Sequence, residues 1–217
     1  MSSLDLSAIK KWVIPEGEVM SVTVNGVVIW KKPADTPVTQ ANHIKGTASA
    51  EFTAKLGDVT LTFPAGTFDV EYTGAQLTTL VSAFYKQAGL TSITSFGVDI
   101  SKVTSIVNFM YGNKNLVSLD FSGCDFSSVQ AAGNAFCSTY SHSDALTTIK
   151  GGLSGLHNCS QLSFKYCAKL THDSIVTVIN SLGTCKYSTS FILSDTQKAS
   201  LTNDEKAILV NKGWTLA

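Results

Sequence analysis

The stretch FMYGNKNLVSL spans residues 109–119 and matches AFYKQAGLTSI, which spans residues 83–93, at a 26-residue offset. In each copy one aliphatic residue follows the second position by six residues, and another follows it by nine. A fixed period of roughly 20 to 50 residues is typical of proteins whose structural units pack side by side. This spacing therefore predicts the architecture of the middle of the chain.

A third copy follows, with an insertion. Phe136 lies as far beyond Met110 as Met110 lies beyond Phe84, but its aliphatic pair, Leu146 and Ile149, comes four residues later than the pattern requires. We interpret the polar segment 137–144 as a surface turn that accommodates the extra residues. Because the segments between the units also superpose at the same offset, the sequence predicts three units in one register.

A unit of this length cannot bury both sides of one short strand, so neighbouring units must pack on one another. We expect Ile93, Leu119 and Ile149 to align on adjacent parallel strands and to face the core. Alternate strand residues then face solvent on one side. These polar residues form our candidate binding surface: Ser92, Thr94, Ser118, Asp120, Thr148 and Lys150.

The region before the repeats has the alternation of antiparallel strands. Segments 52–56 and 59–63 alternate apolar and polar residues around a turn, which predicts a hairpin, and segment 68–72 adds a third strand. Further upstream, β-branched runs flank Asn25-Gly26, the pair favoured in two-residue hairpin turns. Two prolines between residues 33 and 37 then favour a linker.

The region after the repeats has helix signals. Thr171 can N-cap a helix that Gly183 ends, segment 202–205 indicates a capping box, and segment 214–216 predicts a last strand. The predicted domains are an attachment segment at 1–32, a linker at 33–47 and a repeat domain at 48–217. That repeat domain has a β cap at 48–76 and a helical cap at 170–217.

Two resemblances follow from these residues. Segments 101–104, 109–112 and 116–122 resemble the BspA-type leucine-rich-like repeats of bacterial surface and phage-encoded proteins, although Asn113 stands where cysteine is usual. Segments 14–19 and 24–32 are similar to the N-terminal segment of phage tail and fibre proteins. Together they imply an α+β fold in which the N-terminal β-hairpin and an antiparallel β piece precede a short leucine-rich-like solenoid with a helical C-terminal cap.

The resemblance also implies a function, namely a virion protein of the tail-fibre or head-fibre type. Residues 1–32 would dock on other virion proteins, and the repeats would meet a host surface protein, a glycan or further virion proteins. Such fibres are commonly homo-oligomers, although the sequence contains no heptads that would show it. The alternatives are an exported bacterial adhesin and an enzyme that depolymerises surface polysaccharide.

Composition excludes several other classes. Sixteen basic residues balance sixteen acidic ones, so no net charge attracts nucleic acid or an anionic membrane surface. No apolar window is long enough to span a bilayer. The first residues do not resemble a secretory signal, so we expect synthesis in the host cytoplasm and localisation in the virion.

The reactive residues show no convergent pattern, and we predict no enzyme, cofactor or metal site. His157, Cys159 and Cys167 match no standard zinc spacing, and we expect the five cysteines to be free thiols, mostly in the core. The pair Cys137 and His142 lies in the inserted turn, with nothing nearby to orient the imidazole. Three aspartates could serve as the carboxylates of a glycosidase or could bond the local backbone at turns: Asp99, Asp120 and Asp125. Four tyrosines either stack on a partner or cover the core: Tyr85, Tyr111, Tyr140 and Tyr166.

Overall fold

The computed structural model describes residues 21–24, 27–31, 42–136 and 145–217, the first two segments by their backbone alone. The chain divides into two compact units, Met1–Thr39 and Gln40–Ala217. In the first unit β1 (Ser21–Val24) pairs antiparallel with β2 (Val27–Lys31), which confirms the predicted hairpin. The Asn25-Gly26 turn and the inserted turn with Cys137 and His142 lie outside the described residues.

The second unit contains ten strands and three helices among its described residues. The strands are β3 (His43–Ala48), β4 (Phe52–Leu56), β5 (Val59–Phe63), β6 (Gly66–Glu71), β7 (Leu90–Phe96), β8 (Ser118–Asp120), β9 (Thr148–Lys150), β10 (Gln161–Ser163), β11 (Thr189–Ile192) and β12 (Trp214–Leu216). The helices are α1 (His172–Ser181), α2 (Asp195–Ser200) and α3 (Asn203–Asn211). Three sheets result, with the strand orders β6-β3-β7-β8-β9, β10-β11-β12 and β4-β5.

The alignment predicted from the repeat spacing is confirmed. Ile93 pairs with Leu119 on the neighbouring parallel strand, and Leu119 pairs with Ile149 on the next one. All three side chains are buried. A second set of parallel bridges joins Thr79 to Ser105 and Ser105 to Ala131, again one repeat apart. The repeated units therefore lie side by side in register at two points of each repeat.

The predicted fold class, an α+β protein with a leucine-rich-like solenoid and a helical C-terminal cap, is wrong. The second unit contains one mixed, one parallel and one antiparallel sheet, and its described helices have only ten, six and nine residues. In the largest sheet β3 runs antiparallel to both of its neighbours, whereas β7, β8 and β9 are parallel. At the C-terminus a three-stranded parallel sheet accompanies the helices, so this region is not a helical cap.

The antiparallel region also differs from its prediction. The hairpin of β4 and β5 is present, with alternate residues buried. However, β6 does not join that hairpin, because it pairs along its whole length with β3. Residues 43–47, which the sequence places in the linker, belong to β3 at the second position of the largest sheet. Strand β3 is therefore the partner of β6, a place that the sequence assigned to β5.

The helix signals at both predicted positions are confirmed. The Thr171 side chain accepts a hydrogen bond from the Ser174 backbone and caps α1, whose buried face includes Ile175 and Val178. Thr202 and Glu205 form a complete capping box at the start of α3. The chain then turns at Gly213 and enters β12.

The core is a continuous series of aromatic rings that runs through the second unit. Neighbouring ring centroids lie between 4.8 and 6.3 Å apart along the series Phe52, Phe63, Phe84, Phe109, Phe121, Phe136, Phe164, Phe191 and Trp214. Each of these side chains is buried. This shared core covers the inner side of the largest sheet and leaves its outer side to polar residues.

Candidate binding face

The outer side of the largest sheet carries a row of hydroxyl residues, one on every strand. The strand register places these side chains next to one another in the order Thr67, Thr47, Ser92, Ser118 and Thr148. Side chains paired across neighbouring strands point to the same face. At an inter-strand spacing of about 4.8 Å, the row extends over about 19 Å. We call this row the hydroxyl row.

Irregular pairing between β3 and β7 brings extra hydroxyl groups into the row. The register shifts twice, so Thr91 and Thr94 are additional residues on β7, as in a β-bulge. The Thr47 hydroxyl lies 2.7 Å from the hydroxyl of Thr91 and 2.7 Å from that of Ser92. Because the bulges reset the alternation, Leu90, Ile93 and Phe96 can all be buried.

A second row beside the hydroxyl row carries charges. Lys45 is paired in register with Asp69, and their side chains form an ion pair of 3.0 Å. Hydrogen bonds from Lys45 and then from His43 lower the pKa of Asp69 below its usual range. At the other side of the sheet, Asp120 and Lys150 occupy paired positions on β8 and β9. The face is therefore polar throughout and carries both signs of charge.

All six residues of the predicted binding surface lie on this face. Three of them form the centre and one end of the hydroxyl row: Ser92, Ser118 and Thr148. Asp120 and Lys150 lie beside one another in the second row, and Thr94 lies in a bulge and is exposed. Sequence reasoning missed Thr47 and Thr67, because the strand that joins them to the row, β3, was taken for part of a linker.

The face can form hydrogen bonds with a partner. Hydroxyl groups both donate and accept, and the row presents them at a regular spacing on five paired strands. Some hydroxyls are already engaged, since Thr91 donates to the Thr47 carbonyl oxygen at 2.8 Å. Such internal hydrogen bonds hold the side chains in fixed positions, which lowers the entropy lost when a ligand binds.

The carboxylates considered for glycoside cleavage have structural partners. Asp99, Asp120 and Asp125 each accept a hydrogen bond of 2.9 Å from the backbone N–H two residues later. The hydrogen bonds from Ser101 lower the pKa of Asp99. The turn interpretation of these three residues is therefore confirmed.

Of the four described cysteines, Cys124, Cys159 and Cys167 are buried and Cys185 is partly exposed. Burial, with a smaller contribution from Asp120, raises the pKa of the Cys124 thiol to about 12. Burial likewise raises the pKa of Cys159 to about 12. A thiol of this kind stays protonated at neutral pH and is a poor nucleophile or metal ligand. Among residues 42–136 and 145–217, no three His, Cys, Asp or Glu side chains are grouped as a metal site would require.

Two tyrosines of the repeats stack on one another. Tyr85 and Tyr111 are equivalent residues of two units, and their ring centroids lie 5.0 Å apart at an interplanar angle of 18°. The Lys86 ammonium lies 5.1 Å from the Tyr85 ring centroid. Tyr166 is half-buried, and Tyr140 lies outside the described residues.

Comparisons with protein-family models, with curated proteins and with solved structures found no match for this chain. None of the described helices has the length and apolar character that crossing a membrane requires.

Proposed function

We propose that this protein is a non-enzymatic binding protein of a phage virion, of the tail-fibre or head-fibre type. The hydroxyl row is the observation that carries the binding role, because it provides polar side chains on all five strands of one sheet, with hydrogen bonds among Thr47, Thr91 and Ser92. The virion role is supported by the resemblance of segments 14–19 and 24–32 to the N-terminal segment of phage tail and fibre proteins.

The proposal assigns two tasks to the two units. Residues 1–32 attach the protein to other virion proteins, in keeping with the hairpin of β1 and β2. The hydroxyl row of the second unit contacts a host surface molecule, and the protein works as a homo-oligomer on the particle. The absence of catalysis is supported by what the reactive groups do, since Asp99 and Asp125 hold turns and the Cys124 thiol is buried.

Mass spectrometry of purified virions tests the location of the protein. The chain should be present in particles, and deletion of residues 1–32 should remove it from them. Its absence from wild-type particles would contradict the virion role and would favour an exported adhesin. Release of sugar from host polysaccharide that is lost in Asp120→Asn would instead favour a depolymerase.

Adsorption of particles to host cells tests the face itself. The double variant Ser118→Lys, Thr148→Lys places two long charged side chains in the hydroxyl row, and we expect adsorption to fall about tenfold or more while particle yield is unchanged. The matched control is Thr53→Lys, Thr62→Lys, which alters an exposed cross-strand pair of the hairpin of β4 and β5. Equal adsorption by both double variants would restrict the face to contacts within the particle.

A further inference from the structure

A groove lies where the loops that follow the three parallel strands meet. Lys102 and Thr104 line it from the loop after β7, residues 127–130 from the loop after β8, and His157 and Asn158 from the loop after β9. Its volume is about 540 Å³. This size lies within the range of small-molecule sites, roughly 300–1,000 Å³. The groove is built from loops, whereas the hydroxyl row lies on strands.

Hydrogen bonds between neighbouring loops fix the shape of the groove. The Ser128 hydroxyl donates to the Ser101 carbonyl oxygen at 2.6 Å, and the Gln130 backbone N–H donates to the Thr104 carbonyl oxygen at 2.8 Å. The Asn158 side-chain oxygen accepts from the Lys186 backbone N–H at 2.6 Å. A site that is held in this way before binding loses little entropy when a ligand enters.

An exposed aromatic ring lines the groove. This is the ring of Tyr187, which is 67% exposed. The Lys186 ammonium lies 5.4 Å from the centroid of this ring. A tyrosine ring offers an apolar face and a polar tip at a low entropic cost. Such a ring beside hydroxyl and amide groups suits a sugar, whose C–H faces stack and whose hydroxyls form hydrogen bonds.

The charges of the groove favour an anionic sugar. Among the described residues, its lining includes the charged side chain of Lys102 and no carboxylate. Asp99 and Asp125 lie on the same loops and are negatively charged, but neither lines the groove, whereas Lys102 does. A cation that faces an open groove attracts carboxylate groups and can donate charge-assisted hydrogen bonds to them.

We propose that this groove binds a saccharide chain that carries carboxylate groups, with Tyr187 as the stacking platform and Lys102 as the carboxylate contact. Gln130 and Thr104 provide side-chain groups for hydrogen bonds with sugar hydroxyls. This site is separate from the hydroxyl row, so its presence does not depend on the proposed virion role.

Isothermal titration calorimetry of the full chain tests the proposal. The probes are hexasaccharides of hyaluronan, galacturonic acid and alginate, which carry carboxylates, and chitohexaose, which is neutral. We expect at least one acidic hexasaccharide to bind and chitohexaose to bind at least about fivefold more weakly. Tyr187→Ala should weaken the acidic probe about three- to tenfold, in line with the usual contribution of aromatic contacts. Lys102→Gln should weaken it about two- to fivefold and reduce its dependence on salt.

Two matched controls separate the groove from a general effect of the surface. Tyr85 also has the following lysine against its ring, so Tyr85→Ala removes a similar group that does not line the groove. Lys55→Gln removes an exposed charge from β4. Both controls should bind within about twofold of the wild type, since neither residue lines the groove.

Three results would overturn the proposal. These are no binding of any acidic hexasaccharide at millimolar concentration, binding that Tyr187→Ala leaves unchanged, and tighter binding of chitohexaose than of every acidic probe. Because Tyr187 is exposed and Lys102 lies at the surface, both variants should keep the circular dichroism of the wild type. A loss of binding can then be attributed to the groove.

Discussion

At the scale of single residues, the largest sheet depends on a glycine at its centre. Gly46 lies in β3 between β6 and β7, and a Cβ atom there would lie 2.1 Å from the Ser92 carbonyl oxygen and 2.6 Å from the Phe68 ring. The backbone oxygen cannot move without breaking the strand pairing. Because Gly46 has no Cβ atom, β3 and β7 can approach closely and the Phe68 ring can occupy the space that a side chain would fill.

We predict that Gly46→Ala destabilises the protein by about 3 kcal/mol or more, at or above the upper end of the usual cost of overpacking, because the new contact is with backbone. Urea unfolding followed by circular dichroism measures this change. The control is Gly133→Ala, since a Cβ atom at Gly133 has no neighbour within 4 Å. We expect this control to change stability by less than about 1 kcal/mol. Equal effects of the two variants would show that the close approach at Gly46 is not restrictive.

Asn113 has a structural role between two of the units. It is fully buried, and its side-chain oxygen accepts a hydrogen bond of 2.7 Å from the Gln87 backbone N–H of the preceding unit. Its amide nitrogen lies 3.8 Å from the Met110 sulfur. A buried N–H without a partner is costly, so the hydrogen bond from Gln87 to this asparagine stabilises the junction of the two units.

At the scale of elements, the sequence predicted the strands and helices that are marked by local patterns or by the repeat period. The inward residues Ile93, Leu119 and Ile149 align because the repeat period sets the strand register. Strand β3 was missed because Gly46 and Ala48 occupy two of its inward positions, and small residues give no apolar alternation. The partner of β6 could not be predicted either, since it depends on the same strand.

At the contact between α1 and α3, two ionisable side chains, His172 and Glu205, lie side by side. His172 Nε2 lies 3.1 Å from a Glu205 oxygen, and His172 Nδ1 lies 3.5 Å from Asp173. The hydrogen bond with Glu205 raises the pKa of His172 above its usual value. The pKa of Glu205 is lowered, first by the Thr202 backbone N–H and then by His172. Both groups are therefore charged together near pH 6.

We predict that the contribution of this contact to stability depends on pH in a definite direction. Because the pKa of His172 is raised on folding, its contribution is fully present below the unfolded value and is lost as the pH rises through the folded value. The Glu205 contribution is lost as the pH falls through its lowered pKa. Wild-type stability should therefore decline from pH 6 to pH 8 more steeply than that of His172→Gln, as measured by urea unfolding at each pH.

The control for this prediction is Thr53→Ala, since Thr53 is exposed on β4 and does not titrate. Its difference from the wild type should not reproduce the change in pH dependence seen for His172→Gln. Parallel curves for the wild type and His172→Gln would show that the contact between α1 and α3 does not stabilise the charged imidazole.

At the scale of the whole second unit, the same period organises both the core and the outer face. It sets Ser92, Ser118 and Thr148 side by side, so most of the candidate face was predictable from spacing alone. The Thr47 and Thr67 end of the hydroxyl row was not, because it depends on pairing between segments that share no repeat. The groove was not predictable for the same reason, since Tyr187 reaches it from outside the three units.

The continuous aromatic core gives a last prediction, that residues 40–217 unfold as one cooperative unit. Its ring contacts run from Phe52 to Trp214, and Phe136 joins the two halves, since its ring centroid lies 6.1 Å from that of Phe121 and 5.3 Å from that of Phe164.

In a fragment of residues 40–217, Trp214 is the only tryptophan, so its fluorescence reports one end of the core. Its urea midpoint should coincide with that of far-ultraviolet circular dichroism, which reports the whole unit. Phe136→Ala should lower the free energy of unfolding from both signals by about 3–5 kcal/mol, because a buried ring is lost from the middle of the series. Two separate midpoints, or a shift of the Trp214 signal alone, would show that the halves on either side of Phe136 fold independently.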